Sequence, residues 1–221
     1  MIRAIDDFPS FFEVASDDPL IIDCGANIGV SVLEWKSRWP MAQVLCFEPD
    51  PDAFRLLEMN IERNDVPGVR CIHAAVTDFA GEAAWYGDLG KGADARGNSL
   101  RPEWGKRSDD APSKVPCKRL SSFLQGQRVS FLKLDIEGAE EAVLRDIAEH
   151  LHLIDAMYVE VHENDLLDEW NSLQRIMDCI RGSGLKVEEE PRYQPHSLPP
   201  AWSAWGNQWN ARQTQLLCYR G

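Results

Sequence analysis

Leu20-Ile21-Ile22-Asp23-Cys24-Gly25-Ala26-Asn27-Ile28-Gly29 sets an apolar run against a glycine-bearing turn. From Ile28 onward Val32, Leu33 and Trp35 fall at helical spacing up to Pro40. The pattern predicts a strand, a tight turn and a helix. Gly25 lets the backbone approach a ligand, Gly29 lets the helix pack closely on the strand, and the helix N-terminus turns free amides toward whatever lies above the turn. Ala26 and Asn27 complete the rim.

The same pattern repeats downstream. Residues 43–48 (QVLCFE) read as a second strand, and Asp52 is placed to cap a helix carrying Phe54, Leu56, Leu57 and Ile61. Glu48 ends the second strand, where doubly wound folds place an acid that accepts hydrogen bonds from ribose hydroxyls. A dinucleotide fingerprint would space its glycines G-x-G-x-x-G, whereas this turn reads G-x-x-x-G behind Asp23. A carboxylate there repels pyrophosphate and favours a cationic or hydroxyl-bearing ligand. S-adenosylmethionine, which carries an amino acid and a sulfonium but no phosphate, meets that demand better than NAD.

Working toward the C-terminus, residues 69–76 predict a third strand, 82–86 and 115–119 the arms of a hairpin, 129–135 the fourth main strand and 154–161 the fifth. Helices are expected over 139–150 and 166–181, with 185–190 and 213–219 closing the chain as an antiparallel hairpin. Alternating strands and helices predict an α/β fold: a doubly wound, mostly parallel seven-stranded sheet with an antiparallel last strand, in one domain spanning 1–221. Residues 87–114 lack periodicity and read as an insertion or lid, and 191–212 as a Pro- and Trp-rich loop within the closing hairpin.

The net charge of −13 argues against nucleic acid or anionic lipid as partner. The six cysteines form no C-x-x-C pair and are expected to be reduced, buried small hydrophobes. The first residues contain no run of signal-peptide length and no later segment approaches a membrane span, so a cytosolic location is expected.

A second constellation, Lys133-Leu134-Asp135-Ile136-Glu137-Gly138-Ala139-Glu140, again lies where a strand runs into a helix. Asp135 and Glu137 are expected to face the ligand crevice, Gly138 to permit close approach, and Glu140 to suit the first helical turn. His162, just past the fifth strand, is the expected general base, since an unperturbed imidazole titrates near neutrality. No metal is required by this reading. Magnesium held by Asp135, Glu160 and His162 is the less favoured alternative.

Taken together, IIDCGANIGV, FEPDP, LKLDIEGAEEAVL and VEVHE, with NSL at residues 98–100, closely resemble the FkbM family of methyltransferases from about residue 20 to 162. The resemblance implies a class I methyltransferase fold that uses S-adenosylmethionine, generally to O-methylate hydroxyls of secondary metabolites and sugars. It implies that Asp23, Gly25, Asn27 and Gly29 surround the methionine portion, Glu48 and the adjoining Pro49 the ribose, and Ala75 with its neighbours the adenine edge. Asp135 would stand near the methionine amine or the reacting methyl. The expected partner is a small hydroxylated acceptor, with a homo-oligomer as a further expectation. Methylation of nitrogen on a peptide or amine, and a non-catalytic partner subunit that retains the fold, are the alternatives.

Two features bear on the acceptor. Trp202, Trp205 and Trp209 recur at helical spacing and read as core or contact residues, or as a stacking wall. Arg96, Arg101, Lys106, Arg107 and Lys114 concentrate positive charge in the insertion and read as solvated or as a grip on an acidic acceptor.

Overall fold

The computed structural model describes residues 14, 16–87, 97–104, 112–193 and 211–221. Seven strands form the main sheet: β1 (Leu20–Cys24), β2 (Gln43–Phe47), β3 (Val69–Ile72), β7 (Val129–Leu134), β8 (Ile154–Glu163), β9 (Lys186–Tyr193) and β10 (Arg212–Tyr219). Their order is β3-β2-β1-β7-β8-β10-β9, with β10 antiparallel to both neighbours and the pairs among β3, β2, β1, β7 and β8 parallel. Helices α1 (Val30–Arg38), α2 (Pro51–Arg63), α3 (Glu140–Asp146) and α4 (Leu173–Gly182) supply the crossovers.

Two-residue alternation along the central strands divides the core. Ile21, Phe131 and Tyr158 face one layer with Val32, Trp35 and Leu57 of α1 and α2. Ile22, Leu132, Met157 and Val159 face the other with Val143, Leu144, Ile176 and Ile180 of α3 and α4. Both faces of the sheet are therefore covered, as parallel strands require.

Residues 69–76 were expected as one strand, and the chain divides them. β3 ends at Ile72, Ala74 N donates back to Ile72 O at 3.0 Å, and β4 (Ala75–Thr77) leaves for a second sheet. That sheet has the order β4-β6-β5, with β5 (Gly81–Trp85) and β6 (Ser113–Arg119) forming the expected antiparallel pair. The sidestep at His73 and Ala74 places Ala75 beside the ends of β1 and β2 rather than in the main sheet.

Three helical expectations shift. The cap of α2 is Asp50, whose Oδ1 accepts from Asp52 N and Ala53 N at 3.0 Å each, with Pro51 opening the helix. The helix after β7 stops at Asp146, whose carboxylate takes Ser121 and Arg119, and the chain continues as a 3₁₀ segment, Ala148–Leu153. The helix expected from residue 166 begins only at Leu173, because Asn164 Oδ1 accepts from Leu166 N and Leu167 N and holds turns there. All six cysteines are free, four of them buried and Cys71 and Cys179 half-buried. Among the described residues no helix is long and apolar enough to cross a membrane.

Ile22 lies at the centre of the β1 core and is fully buried. Ile22→Ala is expected to destabilise the fold by about 2–5 kcal/mol, read as a lowered urea midpoint at unchanged slope.

Candidate functional site

The turn after β1 is tied to the end of β2 through backbone groups. Gly25 N and Ala26 N both donate to Phe47 O at 3.0 Å, and Asn27 N donates to Glu48 Oε2 at 2.8 Å. Asp50 N donates to the other oxygen, Glu48 Oε1, at 2.8 Å. Gly25 has φ 83°, and a Cβ there would stand 1.9 Å from Asp135 O, so no side chain fits between β1 and β7. Glu48 is 5% exposed, and burial pushes its carboxyl up to about 7 despite the Asp50 and Asn27 amides that oppose the rise.

Above these strand ends opens a cleft of about 670 Å³, mouth included, lined in part by Gly25, Asn27, Glu48, Pro49, Ala75, Asp135 and Glu137. The cleft lies at the carboxyl edge of a doubly wound sheet, where such folds bind ligands. Its wall also includes Trp85 from β5 and Asn98 and Leu100 from the insertion.

Beneath the cleft sits one buried cation. Lys133 Nζ lies 3.0 Å from Gly25 O, 3.2 Å from Asp135 Oδ2 and 3.4 Å from Asp23 Oδ1. Burial alone would lower its pKa, but Asp135 and Asp23 outweigh that and raise it, so the ammonium persists. Asp23 itself is fully buried and does not line the cleft. Its Oδ2 accepts from Ser31 Oγ at 2.5 Å and Trp35 Nε1 at 3.3 Å. The expectation that it faces the ligand is thus corrected: Asp23 anchors α1 and Lys133 from below.

A chain of ionisable groups continues toward β8. Glu140, fully buried, accepts from Ile136 N at 3.2 Å, Gly138 N at 3.1 Å and Asn171 Nδ2 at 2.6 Å, and its Oε1 lies 3.0 Å from His162 Nδ1. His162 Nε2 lies 3.3 Å from Glu137 Oε2 and 4.0 Å from Asp135 Oδ1. Burial would lower the imidazole's pKa, but Glu137 and then Glu140 hold it well above its ordinary value. His162 is 1% exposed and both of its ring nitrogens face carboxylates, an arrangement that does not suit the expected base.

Glu137 is the hub of the loop between β7 and α3. With φ 56° it adopts a left-handed conformation uncommon outside glycine. Its Oε1 accepts from Gly97 N at 3.1 Å, its Oε2 from Trp104 Nε1 at 2.6 Å, and its carbonyl from Ser99 Oγ at 2.5 Å. Burial raises its carboxyl pKa, with His162 opposing. Residues 97–104 are thereby docked over the cleft, reinforced by paired backbone bonds between Tyr86 and Ser99 and by Asn98 Nδ2 on Asp50 Oδ2 at 3.2 Å.

Asp135, Glu137 and His162 each offer a ligand atom within 4.8 Å of the others. Glu160, expected in their company, is absent from that group and instead accepts from Tyr158 Oη at 3.0 Å. The metal-ligating alternative is thus corrected in one member: Glu137, in the loop beside Asp135, replaces Glu160.

Residues 23–187 match the family model described as "Methyltransferase FkbM domain". The chain belongs to the FkbM family of methyltransferases. A methyltransferase of the fungus Beauveria bassiana, "Methyltransferase 1", is 31% identical over 200 residues, covering 82% of this chain and 78% of the relative. The "2-O-methyltransferase NoeI" of Sinorhizobium fredii is 28% identical over 188 residues, covering 79% and 76%. Among solved structures, the N-terminal domain of EvdMO1 with S-adenosylhomocysteine bound shares the fold at a TM-score of 0.51 and 12% identity, covering 92% of this chain and 74% of that one.

Within this methyltransferase fold, seven of the residues expected at the cofactor site meet in the cleft: Gly25, Asn27, Glu48, Pro49, Ala75, Asp135 and Glu137. Asp23, Ala26 and Gly29 stand behind it. Gly29, at φ 87°, meets Leu57, where a Cβ would come within 2.6 Å of Cδ1. Ala74 and Val76 are the neighbours of Ala75 expected at the adenine edge, Ile136 and Ala139 belong to the second constellation, and Asn98 and Leu100 carried a signal as part of NSL; Phe47 and Trp85 were not foreseen, being apolar residues without a chemical signature. Trp202, Trp205, Trp209, Arg96, Lys106 and Arg107 lie outside the described residues. Arg101 stacks over Trp170 at 4.4 Å, and Lys114 lies exposed on β6.

Lys133→Met removes the only countercharge within ion-pair distance of Asp23 among the described residues. It is expected to destabilise the protein by about 3–5 kcal/mol, because it strands a buried carboxylate; urea denaturation at neutral pH measures this.

Proposed function

We propose that the chain transfers a methyl group from S-adenosylmethionine to a hydroxyl of a small molecule. The observation that carries this reading is the pairing of Glu48 with the Gly25 turn at one cleft. Glu48 is pinned by two backbone amides and keeps acceptor capacity for a ribose diol. Asp135 and Glu137 give the cleft the negative character a sulfonium and an ammonium require. The family membership, the S-adenosylhomocysteine held by EvdMO1 and the 2-O-methyl transfer named for NoeI all support it.

Methyl transfer here is an in-line displacement: the acceptor oxygen bonds to the methyl carbon, the carbon–sulfur bond breaks with its electron pair to sulfur, and the hydroxyl proton departs. The protein's task is alignment and proton removal. Asp135, 28% exposed by its side chain and lining the cleft, is the carboxylate placed to draw on the acceptor hydroxyl. His162 stands behind it, held between Glu137 and Glu140, where it positions the loop.

Calorimetric titration should show binding of S-adenosylmethionine and S-adenosylhomocysteine and none of NAD; binding of NAD alone, or of neither sulfur ligand, sinks the reading. Asp135→Asn should lower kcat on an accepted hydroxyl compound by about a hundredfold or more at saturating cofactor, and, since the same carboxylate adds to the cleft's negative character, should weaken S-adenosylmethionine binding as well.

Glu48 supplies a pH signature. With its pKa near 7, roughly one molecule in ten carries the carboxylate at pH 6 and nine in ten at pH 8. If the ribose hydroxyls donate to the ionised form, the dissociation constant for S-adenosylhomocysteine should fall by about tenfold between those values. A Glu48→Gln variant should bind weakly at both. A flat profile in the parent protein would remove Glu48 from the ribose role.

A further inference from the structure

Three donor atoms of different chemistry converge at the boundary between the cleft and the β8 wall. His162 Nε2 stands 3.3 Å from Glu137 Oε2 and 4.0 Å from Asp135 Oδ1. Ligands around one ion at about 2.1 Å stand about 3 to 3.5 Å apart; the His162–Glu137 pair has that spacing already, and with all three atoms within 4.8 Å of one another the Asp135 carboxylate must draw inward to complete the set. Two of the three come from the cleft lining, Asp135 at 28% and Glu137 at 21% side-chain exposure, which leaves an open side for exogenous oxygen. The third is buried and cannot turn away.

The imidazole is prepared for that role from behind. Its Nδ1 is held by Glu140, whose own carboxylate is fixed by Gly138 N and Asn171 Nδ2, so Nε2 is aimed at the two carboxylates. A histidine whose far nitrogen is fixed by a hydrogen-bonded carboxylate is the usual supporting arrangement of a metal-ligating imidazole. Asn171 Nδ2 also donates to His162 O at 2.8 Å, fixing the backbone of the same residue.

We infer that Asp135, Glu137 and His162 bind one divalent cation whose remaining positions take the acceptor hydroxyl and water. One imidazole with two carboxylates suits manganese or zinc, with magnesium weaker for want of a third oxygen. Ligation releases the Nε2 proton to solvent. The catalytic part of this inference rests on the methyltransfer reading. With the cation in place, Asp135 Oδ1 changes from hydrogen-bond acceptor to ligand. The bound hydroxyl gives its proton to water, its oxygen bonds to the methyl carbon, and the carbon–sulfur pair goes to sulfur. The acceptor class narrows accordingly to alcohols that carry a second oxygen beside the methylated one, since a vicinal pair fills two open positions.

The test uses the full chain stripped with EDTA and desalted. S-adenosylhomocysteine is titrated first without metal, and manganese(II) is then added and followed by the loss of its free-ion electron paramagnetic resonance signal. One saturable site per chain is expected, weakened by at least about tenfold in Glu137→Gln and in His162→Ala. Glu137 is partly exposed, so its variant keeps the test decisive if the buried histidine variant does not fold; a parent-like far-ultraviolet circular dichroism spectrum and urea midpoint report the fold. Absence of saturable manganese binding while S-adenosylhomocysteine still binds overturns the metal site and leaves the methyltransfer reading standing. Parent-like manganese affinity in a folded Glu137→Gln overturns it as well. Failure of S-adenosylhomocysteine to bind sinks the methyltransfer reading, while the manganese signal still decides the site.

Discussion

A lysine ammonium sealed from water beneath the sheet edge is the constraint on which the site depends. Lys133 can stay charged only if every direction it points offers an oxygen, and the fold supplies Asp23 from β1, Asp135 from the end of its own strand and the carbonyl of Gly25. These partners fix the relative height of β1 and β7. With that height set, the Gly25 turn lies against the Asp135 carbonyl so closely that a methyl group would collide. The same close approach brings the turn and the acidic loop to one cleft.

The acidic loop is in turn shaped by its own side chains. Residues 135–140 leave β7, pass through left-handed Glu137 and Gly138, and enter α3 with Glu140 folded back onto the amides of Ile136 and Gly138. Glu140 thus does more than complement a helix dipole: it holds the loop, His162 and Asn171 at once. Through Glu137, the ordering reaches outward to Gly97, Ser99 and Trp104, so part of the insertion becomes the cleft's far wall. Four stretches distant in sequence are assembled around one short turn.

Much of this was legible from periodicity and turn chemistry. The β1–Gly25–Gly29–α1 unit, the acid at the end of β2 and the D-x-E-G-A-E loop follow local rules, and local rules place the strand ends on one edge of a doubly wound sheet. What could not be read was the direction in which an acid turns. Asp23 looked ligand-facing because it ends a strand, yet Ser31 and Trp35, one and two turns into α1, reach back and claim it. His162 looked like a base because an isolated imidazole titrates near neutrality, whereas here Glu137 and Glu140, from separate sequence positions, face its two ring nitrogens in a buried setting. The break between β3 and β4 was hidden because residues 69–76 are continuously strand-like, and nothing local announces a change of sheet.

Access to the cleft separates the acids that hold the fold from those that can meet a ligand. A carboxylate has about four acceptor positions. Glu140 spends its capacity on Ile136 N, Gly138 N, Asn171 and His162, and Asp23 is enclosed by Ser31, Trp35 and Lys133. Neither has exposed surface to offer a ligand. Glu48, Asp135 and Glu137 are also anchored, yet each lines the cleft. An acid that is both anchored and incompletely satisfied is held in orientation while its remaining lone pairs face open space, which is the condition for recognising hydroxyls or cations without a reorganisation cost. The three cleft acids, spread across the ends of β2 and β7, meet that condition.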